Sequence, residues 1–182
     1  MRRALCALLW GVCLPLVAGC DAPADDGPIG AAEVEVAYAQ PALPESVTTT
    51  IRRLREISAT GSYRDMAHMA EETPGFRSNW AGMRHQDYWY LKLRTGDWPM
   101  AQVGKVLEFP YAVSETEQGR VFIWPRMATL ARSEITPAVA RDIDRLLGDG
   151  KAAAIKAGEP WPGYVLGIAE DGAWLYFVSG AG

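Results

Sequence analysis

The chain contains little cysteine, and all of it lies near the start. Cys6, Cys13 and Cys20 are the three cysteines among 182 residues. No disulfide can therefore form between residues beyond position 20, and a domain there must be stabilised by packing alone. A cysteine nucleophile in that domain is excluded for the same reason.

Histidine is also scarce, which limits metal binding. His68 and His85 are the two histidines of the chain. His85 and Asp87 could supply two metal ligands, and Asp65 or Glu71 could add one near His68, but zinc usually takes three or four. We therefore expect no metal site and no cofactor.

Motifs of nucleophilic and phosphate chemistry are missing as well. The chain has no Gly-x-Ser-x-Gly motif. The segment Gly148-Asp149-Gly150-Lys151 lacks the order and spacing of a phosphate-binding loop. Ser78, His85 and Asp87 could be drawn as a triad, but spacing along a sequence does not establish triad geometry. The sequence therefore gives no catalytic set.

The first twenty residues, in contrast, carry a clear pattern. Arg2 and Arg3 precede an apolar run that contains Pro15 and ends in Leu16-Val17-Ala18-Gly19-Cys20. The run is too short for a membrane span and suits a cleavable signal. Its end resembles the lipobox of bacterial lipoproteins. The resemblance implies that the Cys20 thiol receives a diacylglycerol, that the chain is cut before Cys20, and that the new amine is acylated, for example with palmitate. The alternative is a secretory signal with a chance cysteine.

Asp21 bears on which membrane the lipid would enter. An aspartate directly after the lipid-bearing cysteine resembles the inner-membrane retention signal of enteric lipoproteins. The resemblance implies attachment to the inner membrane, with the domain on the periplasmic or extracytoplasmic side. Alternatively, Asp21 simply begins an acidic tether.

Positive charge is in deficit once the signal is removed. Residues 1–19 contain two arginines and no acid, so 16 basic and 22 acidic residues remain, a net charge of −6. This balance argues against nucleic acid as a partner. It also argues against a polybasic contact with anionic lipid, so attachment should come from the acyl chains.

Composition divides the chain into three parts. Residues 1–19 form the predicted signal, residues 20–44 a flexible, acidic and proline-rich tether, and residues 45–182 one globular domain. A flexible tether of this length would reach roughly 25–30 Å. Residues 33–38 alternate with period two and could instead add an edge strand, although disorder is favoured.

Helical periodicity and end signals predict six helices in the domain. The first begins at Glu45 or Ser46 and ends at Gly61, and the second begins after Ser62 and stops at Thr73. Residues 83–94 are assigned as helix, although their aromatic residues also suit a strand. Asp97 is predicted to cap the fourth helix, with Pro99 in its first turn. The last two cover Ser133–Leu147 and Lys151–Ala157.

Three strands are predicted, at residues 120–124, 164–169 and 174–178. Asp171-Gly172 between the last two is a strong hairpin signal, because glycine takes a positive φ at little cost. The fold class is therefore α+β, a small antiparallel sheet with a C-terminal hairpin covered by helices. Residues 76–180 also resemble a loose group of bacterial proteins, through Tyr88-Trp89, Pro110-Tyr111, residues 121–125, Gly163-Tyr164 and residues 171–180. This resemblance implies no activity or cofactor.

Carboxylates offer one enzymatic hypothesis. A pair about 5–9 Å apart can hydrolyse glycosidic bonds. Asp87, Asp97 and Glu108 lie in an aromatic-rich stretch and are the candidates.

Aromatic residues offer a binding hypothesis, because exposed rings stack on sugars or grip peptides. The candidate ligand-binding residues are Trp80, Tyr88, Trp89, Trp98, Tyr111 and Trp161. Most aromatic residues should build the core instead. Trp98 and Trp161 are expected to stay partly exposed, because each adjoins a proline in a loop.

The resulting hypothesis is a membrane-anchored envelope lipoprotein with a non-catalytic binding domain. Its partners would be the membrane, through Cys20, and an envelope protein or glycan. The alternatives are a hydrolase of an envelope polymer and a structural or stress lipoprotein without a discrete ligand.

Overall fold

The computed structural model describes residues 40–79 and 82–180, and the described chain has an α+β fold. The predicted signal, most of the predicted tether and Trp80 lie outside these residues, as does the alternating segment 33–38. The helices are α1 (Glu45–Thr60), α2 (Tyr63–Glu71), α3 (His85–Arg94), α4 (Pro99–Val106), α5 (Pro137–Leu147) and α6 (Lys151–Ala157), and the strands are β1 (Ala112–Thr116), β2 (Gly119–Trp124), β3 (Tyr164–Ala169) and β4 (Trp174–Ser179).

The four strands form one antiparallel sheet in the order β1-β2-β3-β4. The predicted C-terminal hairpin is confirmed, and Gly172 in its turn has a φ of +93°. The outer side of β4 is covered by Arg77, whose amide donates to Leu175 O and whose carbonyl accepts from the Phe177 amide, both at 3.0 Å. Asn79 continues this contact, because its side chain bonds both the amide and the carbonyl of Ser179.

Strand β1 was not predicted from the sequence. Its residues are half-buried or exposed, so they carry no clear apolar alternation. Pairing with β2 makes the segment a strand, with Ala112 opposite Ile123 and Thr116 opposite Gly119. In the described chain β1 pairs with β2 alone and forms one edge of the sheet.

Several predicted boundaries differ from the structure, and helix α3 begins at His85 rather than at residue 83. Helix α5 begins at Pro137, capped by the Thr136 hydroxyl at 3.3 Å from the Val139 amide, and residues 132–134 form a separate 3-10 turn. The end of the predicted tether is packed on the domain. Gln40 Nε2 donates to Tyr111 O at 2.7 Å, and the Tyr111 hydroxyl donates to Pro41 O.

The apolar interior has two parts. The larger lies between the sheet and α1 to α4, with Trp89, Trp174, Phe122 and Phe177 at its centre. The smaller lies around α5 and α6 and includes Phe109, Ile143 and Trp161. Among the described residues, no helix combines the length and apolar character that crossing a bilayer requires.

Candidate ligand-binding surface

The aromatic candidates divide sharply by burial. Tyr88, Trp89 and Tyr111 are 6%, 0% and 7% exposed and belong to the larger core. Trp98, in contrast, is 59% exposed, which confirms the prediction for that residue. Core rings cannot stack on a ligand without unfolding, so Trp98 is the described candidate that is free to do so.

The prediction that Trp161 stays partly exposed is wrong. Its side chain is buried in the smaller core, while Pro160 and Pro162 on either side are exposed. The prolines correctly indicate a loop, but this loop turns its indole inward onto α5 and α6. Neighbouring residue types could not reveal that contact.

Asp97 does not cap α4, contrary to the prediction. The N-cap residue is Trp98, which makes no side-chain capping bond, while Pro99 occupies the first turn as expected. The Asp97 carboxylate instead accepts from Tyr164 at 2.8 Å and from Lys92 at 2.6 Å, both at Oδ2. It therefore links the turn after α3 to the start of β3. Burial and the Asp97 carboxylate raise the pKa of Tyr164, so its hydroxyl stays a donor.

The other two carboxylates have different surroundings. Asp87 pairs with Arg84 at 2.9 Å, one turn away at the start of α3. Glu108 is exposed after α4 and lines a groove of about 320 Å³ with Lys105 and Arg145. The helical rise places Asp87 about 10 Å along the axis from the end of α3, after which Asp97 follows in the turn. Asp87 and Asp97 are thus each paired with a cation, and Glu108 lies at a different groove.

Ser78 and His85 form a pair that sequence spacing could not establish. Ser78 Oγ lies 3.1 Å from His85 Nδ1, and the His85 ring packs against Phe76, with centroids 4.9 Å apart. Burial lowers the pKa of His85, which favours the neutral ring. Asp87 bonds Arg84 and so does not complete the drawn triad.

Exposed apolar side chains are concentrated on and around α3. Met83, Tyr90, Leu91 and Trp98 are 36%, 43%, 36% and 59% exposed, and they are four of the five large apolar side chains exposed in the described chain. The fifth, Val113, lies on β1.

One open groove runs along the outer side of α3. Its volume is about 480 Å³, and the residues that line it, here called the α3 face, are Met83, Asp87, Tyr90, Leu91 and Arg94. The helical members recur at intervals of three and four residues, so they share one side of the helix. The opposite side buries Tyr88 and Trp89. The sequence does not separate these two sides, because large apolar residues lie on both of them.

Tyr90 of the α3 face packs against Tyr63 of α2. The Tyr63 and Tyr90 rings lie 5.2 Å apart and tilted by 38°. Burial raises the pKa of Tyr63, with smaller contributions from Asp97 and Tyr90 in the same direction, so these groups are electrostatic neighbours. Sequence reasoning missed Tyr63 and Tyr90, because packing between α2 and α3 brings them together.

Metal binding finds no support in the described residues, where no three His, Cys, Asp or Glu side chains gather at one point. Comparison with protein-family models, with curated proteins and with solved structures finds no match to this chain.

Proposed function

We propose that this chain is a bacterial envelope lipoprotein whose domain binds a ligand without catalysis. A lipid on Cys20 would hold the mature protein on a membrane. The domain would face the periplasmic or extracytoplasmic side, and Asp21 favours the inner membrane. The partner would be an envelope protein or a glycan.

The concentration of exposed apolar side chains around α3 carries the binding part of this proposal. Grouped exposed apolar residues mark interaction sites more often than scattered ones do. Met83, Tyr90 and Leu91 border this open groove, so a partner that lies along α3 would contact all three. Arg94 and Asp87 at the same groove provide polar contacts that orient a partner.

The attachment part depends on the sequence pattern that ends at Cys20. Two or more acyl chains on this residue would anchor the protein firmly, whereas one would not. The net charge of −6 after residue 19 gives the domain no electrostatic attraction to an anionic membrane.

The surroundings of the carboxylates favour binding over hydrolysis. A glycosidase needs one carboxyl group to donate a proton and a second to act as base or nucleophile across the same bond. Asp87 and Asp97 each engage a cation, and Glu108 borders a different groove from Asp87.

The attachment is tested by metabolic labelling with an alkyne-bearing palmitate in the cells that naturally contain the protein. The full chain should take up the label and sediment with membranes. A Cys20→Ser variant should do neither. Membrane sedimentation of that variant, or no labelling of the unchanged chain, would contradict the anchor.

The binding surface is tested in the same cells with a photo-crosslinking residue in place of Leu91. Because Leu91 lies on the α3 face, we expect a discrete crosslinked product. The matched control places the crosslinker at Val113, which is equally exposed but on β1. Equal products from both positions, or none from position 91, would refute the α3 face as the binding surface.

A further inference from the structure

The two ends of the α3 face carry opposite charges. Asp87 lies in the first turn of α3, and Arg94 is the last residue of this helix. The distance between the two positions along the axis is about 10 Å from the helical rise. Tyr90 and Leu91 lie midway between the charges, and their side chains are exposed. The order along the helix is therefore an acid, an apolar pair and a base.

These four side chains share one side of the helix. With 3.6 residues per turn, positions 87, 90, 91 and 94 fall within an arc of about 100°. Asp87 and Arg94 lie near the middle of this arc, and Tyr90 and Leu91 lie at its two borders. A partner that packs along the middle of the face would therefore contact both charges and both apolar side chains.

Both charges are available to a partner. Arg94 is exposed and makes no ion pair within the described part of the chain. Asp87 pairs with Arg84, but the Asp87 and Arg84 side chains are 46% and 74% exposed, and a surface pair of this kind is weak. A carboxylate has about four acceptor positions, so Asp87 can accept from a second cation while it bonds Arg84.

We propose that two copies of this chain pair through their α3 faces, with the two α3 helices antiparallel. A two-fold axis between residues 90 and 91 places Asp87 of each copy opposite Arg94 of the other. Tyr90 and Leu91 each face their own counterpart across this axis. The pairing thus forms two ion pairs and covers the apolar side chains. This proposal rests on the proposed function and names the partner of its binding surface.

The shape of the α3 face suits a helix as its occupant. Asp87 and Leu91 lie on one row of side chains four residues apart, and Tyr90 and Arg94 lie on the next row. The open groove along α3 is lined by these side chains. Packed helices place the side-chain rows of one helix in the grooves of the other, so α3 of a second copy fits this space. A parallel pair would instead bring like charges together at both ends, which is unfavourable.

Introduced cysteines test the pairing, because the unchanged chain has no cysteine after Cys20. Full-length chains with one added cysteine are oxidised in the cells that naturally contain the protein, and the disulfide-linked two-copy product is measured on a non-reducing gel. Leu91→Cys should form this product, because its two copies lie beside the axis and a disulfide needs Cα atoms within about 7 Å. The unchanged chain measures any product that forms through Cys20.

Val113→Cys is the matched control. Val113 is as exposed as Leu91 but lies on β1, so its variant should give no more product than the unchanged chain. Equal amounts of product from Leu91→Cys and Val113→Cys would overturn the proposal.

Two further variants test the antiparallel arrangement. Asp87→Cys alone and Arg94→Cys alone should each give little product, because the pairing separates the two copies of either position by about 10 Å. Cells that contain both variants should form the two-copy product, because position 87 of one copy then faces position 94 of the other. Self-crosslinking of either variant as fast as Leu91→Cys would rule out this arrangement.

Charge exchange tests the two ion pairs, with Leu91→Cys as the reporter. Adding Asp87→Arg places like charges opposite each other at both ends and should slow the initial rate of crosslinking about tenfold or more. Adding Arg94→Asp to that variant restores opposite charges and should recover most of the rate. An unchanged rate with Asp87→Arg, or no recovery in the exchanged variant, would contradict the proposed ion pairs.

The pairing and the proposed function fail separately. If the photo-crosslinker at Leu91 joins the chain to a different molecule and Leu91→Cys gives no two-copy product, the second copy is the wrong partner while the α3 face remains an interaction surface. If Leu91→Cys crosslinks with the expected controls, the pairing holds even where the Cys20→Ser experiment refutes the lipid anchor.

Discussion

Gly167 lies in β3 opposite Tyr176 of β4, and the tyrosine ring occupies the space that a side chain at 167 would need. A Cβ atom added to Gly167 would lie 2.3 Å from Cε1 and Cζ of Tyr176 and 2.7 Å from its hydroxyl oxygen. Comfortable carbon contacts are about 3.5–4.0 Å. The Gly167→Ala substitution therefore forces the ring to move by more than about 1 Å.

The ring is half-buried and lies against Arg77, which sets the expected magnitude. The guanidinium carbon is 5.5 Å from the ring centroid, so a displaced ring would lose this contact. Overpacking of this kind costs about 1–3 kcal/mol. We expect Gly167→Ala to lower the free energy of unfolding by that amount.

The assay is urea unfolding followed by tryptophan fluorescence, carried out on four proteins: unchanged, Gly167→Ala, Tyr176→Ala and the double variant. Without the ring, alanine at 167 has room, and it should stabilise the strand by about 0.5–1 kcal/mol relative to glycine. The effect of Gly167→Ala should thus change sign in the Tyr176→Ala background. Equal destabilisation in both backgrounds would refute the steric explanation.

Two further substitutions probe the polar groups around the candidate site. Asp97→Ala should lower the free energy of unfolding by about 1–3 kcal/mol, because the buried Tyr164 hydroxyl loses its acceptor. Asp97→Asn should retain most of the stability, because its amide oxygen can still accept this hydrogen bond. Equal losses for both variants in urea unfolding would contradict this role of Asp97. His85 has a lowered pKa in the folded state, so the unfolded chain takes up its proton first as the pH falls through about 6.5. The free energy of unfolding should therefore decline from that pH down to the pKa of His85 in the folded state. His85→Gln should remove this part of the decline when unfolding is measured between pH 7.5 and 5.5. An identical decline in both proteins would exclude His85 as the cause.

Local signals in the sequence were sufficient for much of the fold. The hairpin turn at Asp171-Gly172 was predicted because its chemistry depends on adjacent residues, and the structure confirms it. Apolar periodicity likewise predicted the helices, since each buries one side. The α+β class follows from these elements and their order.

Features that depend on distant contacts were not predictable in this way. Strand β1 has few apolar residues and exists through its hydrogen bonds to β2. Trp161 lies in a loop that packs on the smaller core. Asp97 has the residue type and position of a helix cap. Its carboxylate instead accepts a hydrogen bond from Tyr164, which lies 67 residues away in the chain.

The candidate site shows the same division. Trp98 was expected to be exposed because of the proline beside it, and this is confirmed. Tyr88 and Trp89 lie in the same aromatic-rich stretch of sequence, yet their side chains are buried in the core. The side of a helix decides burial, and that side is set by packing against α2 and α4, which sequence spacing alone does not fix.

The edges of the sheet influence how neighbouring copies would behave on a shared membrane. Lipid attachment would crowd molecules in two dimensions, where an unpaired strand edge can recruit another copy. The β4 edge is already occupied by the segment around Arg77. The β1 edge has only five residues, and exposed Glu115 and Glu117 lie at its end and in the following turn. A short acidic edge resists sheet-to-sheet pairing, so it keeps copies from joining through their sheets even at high surface density.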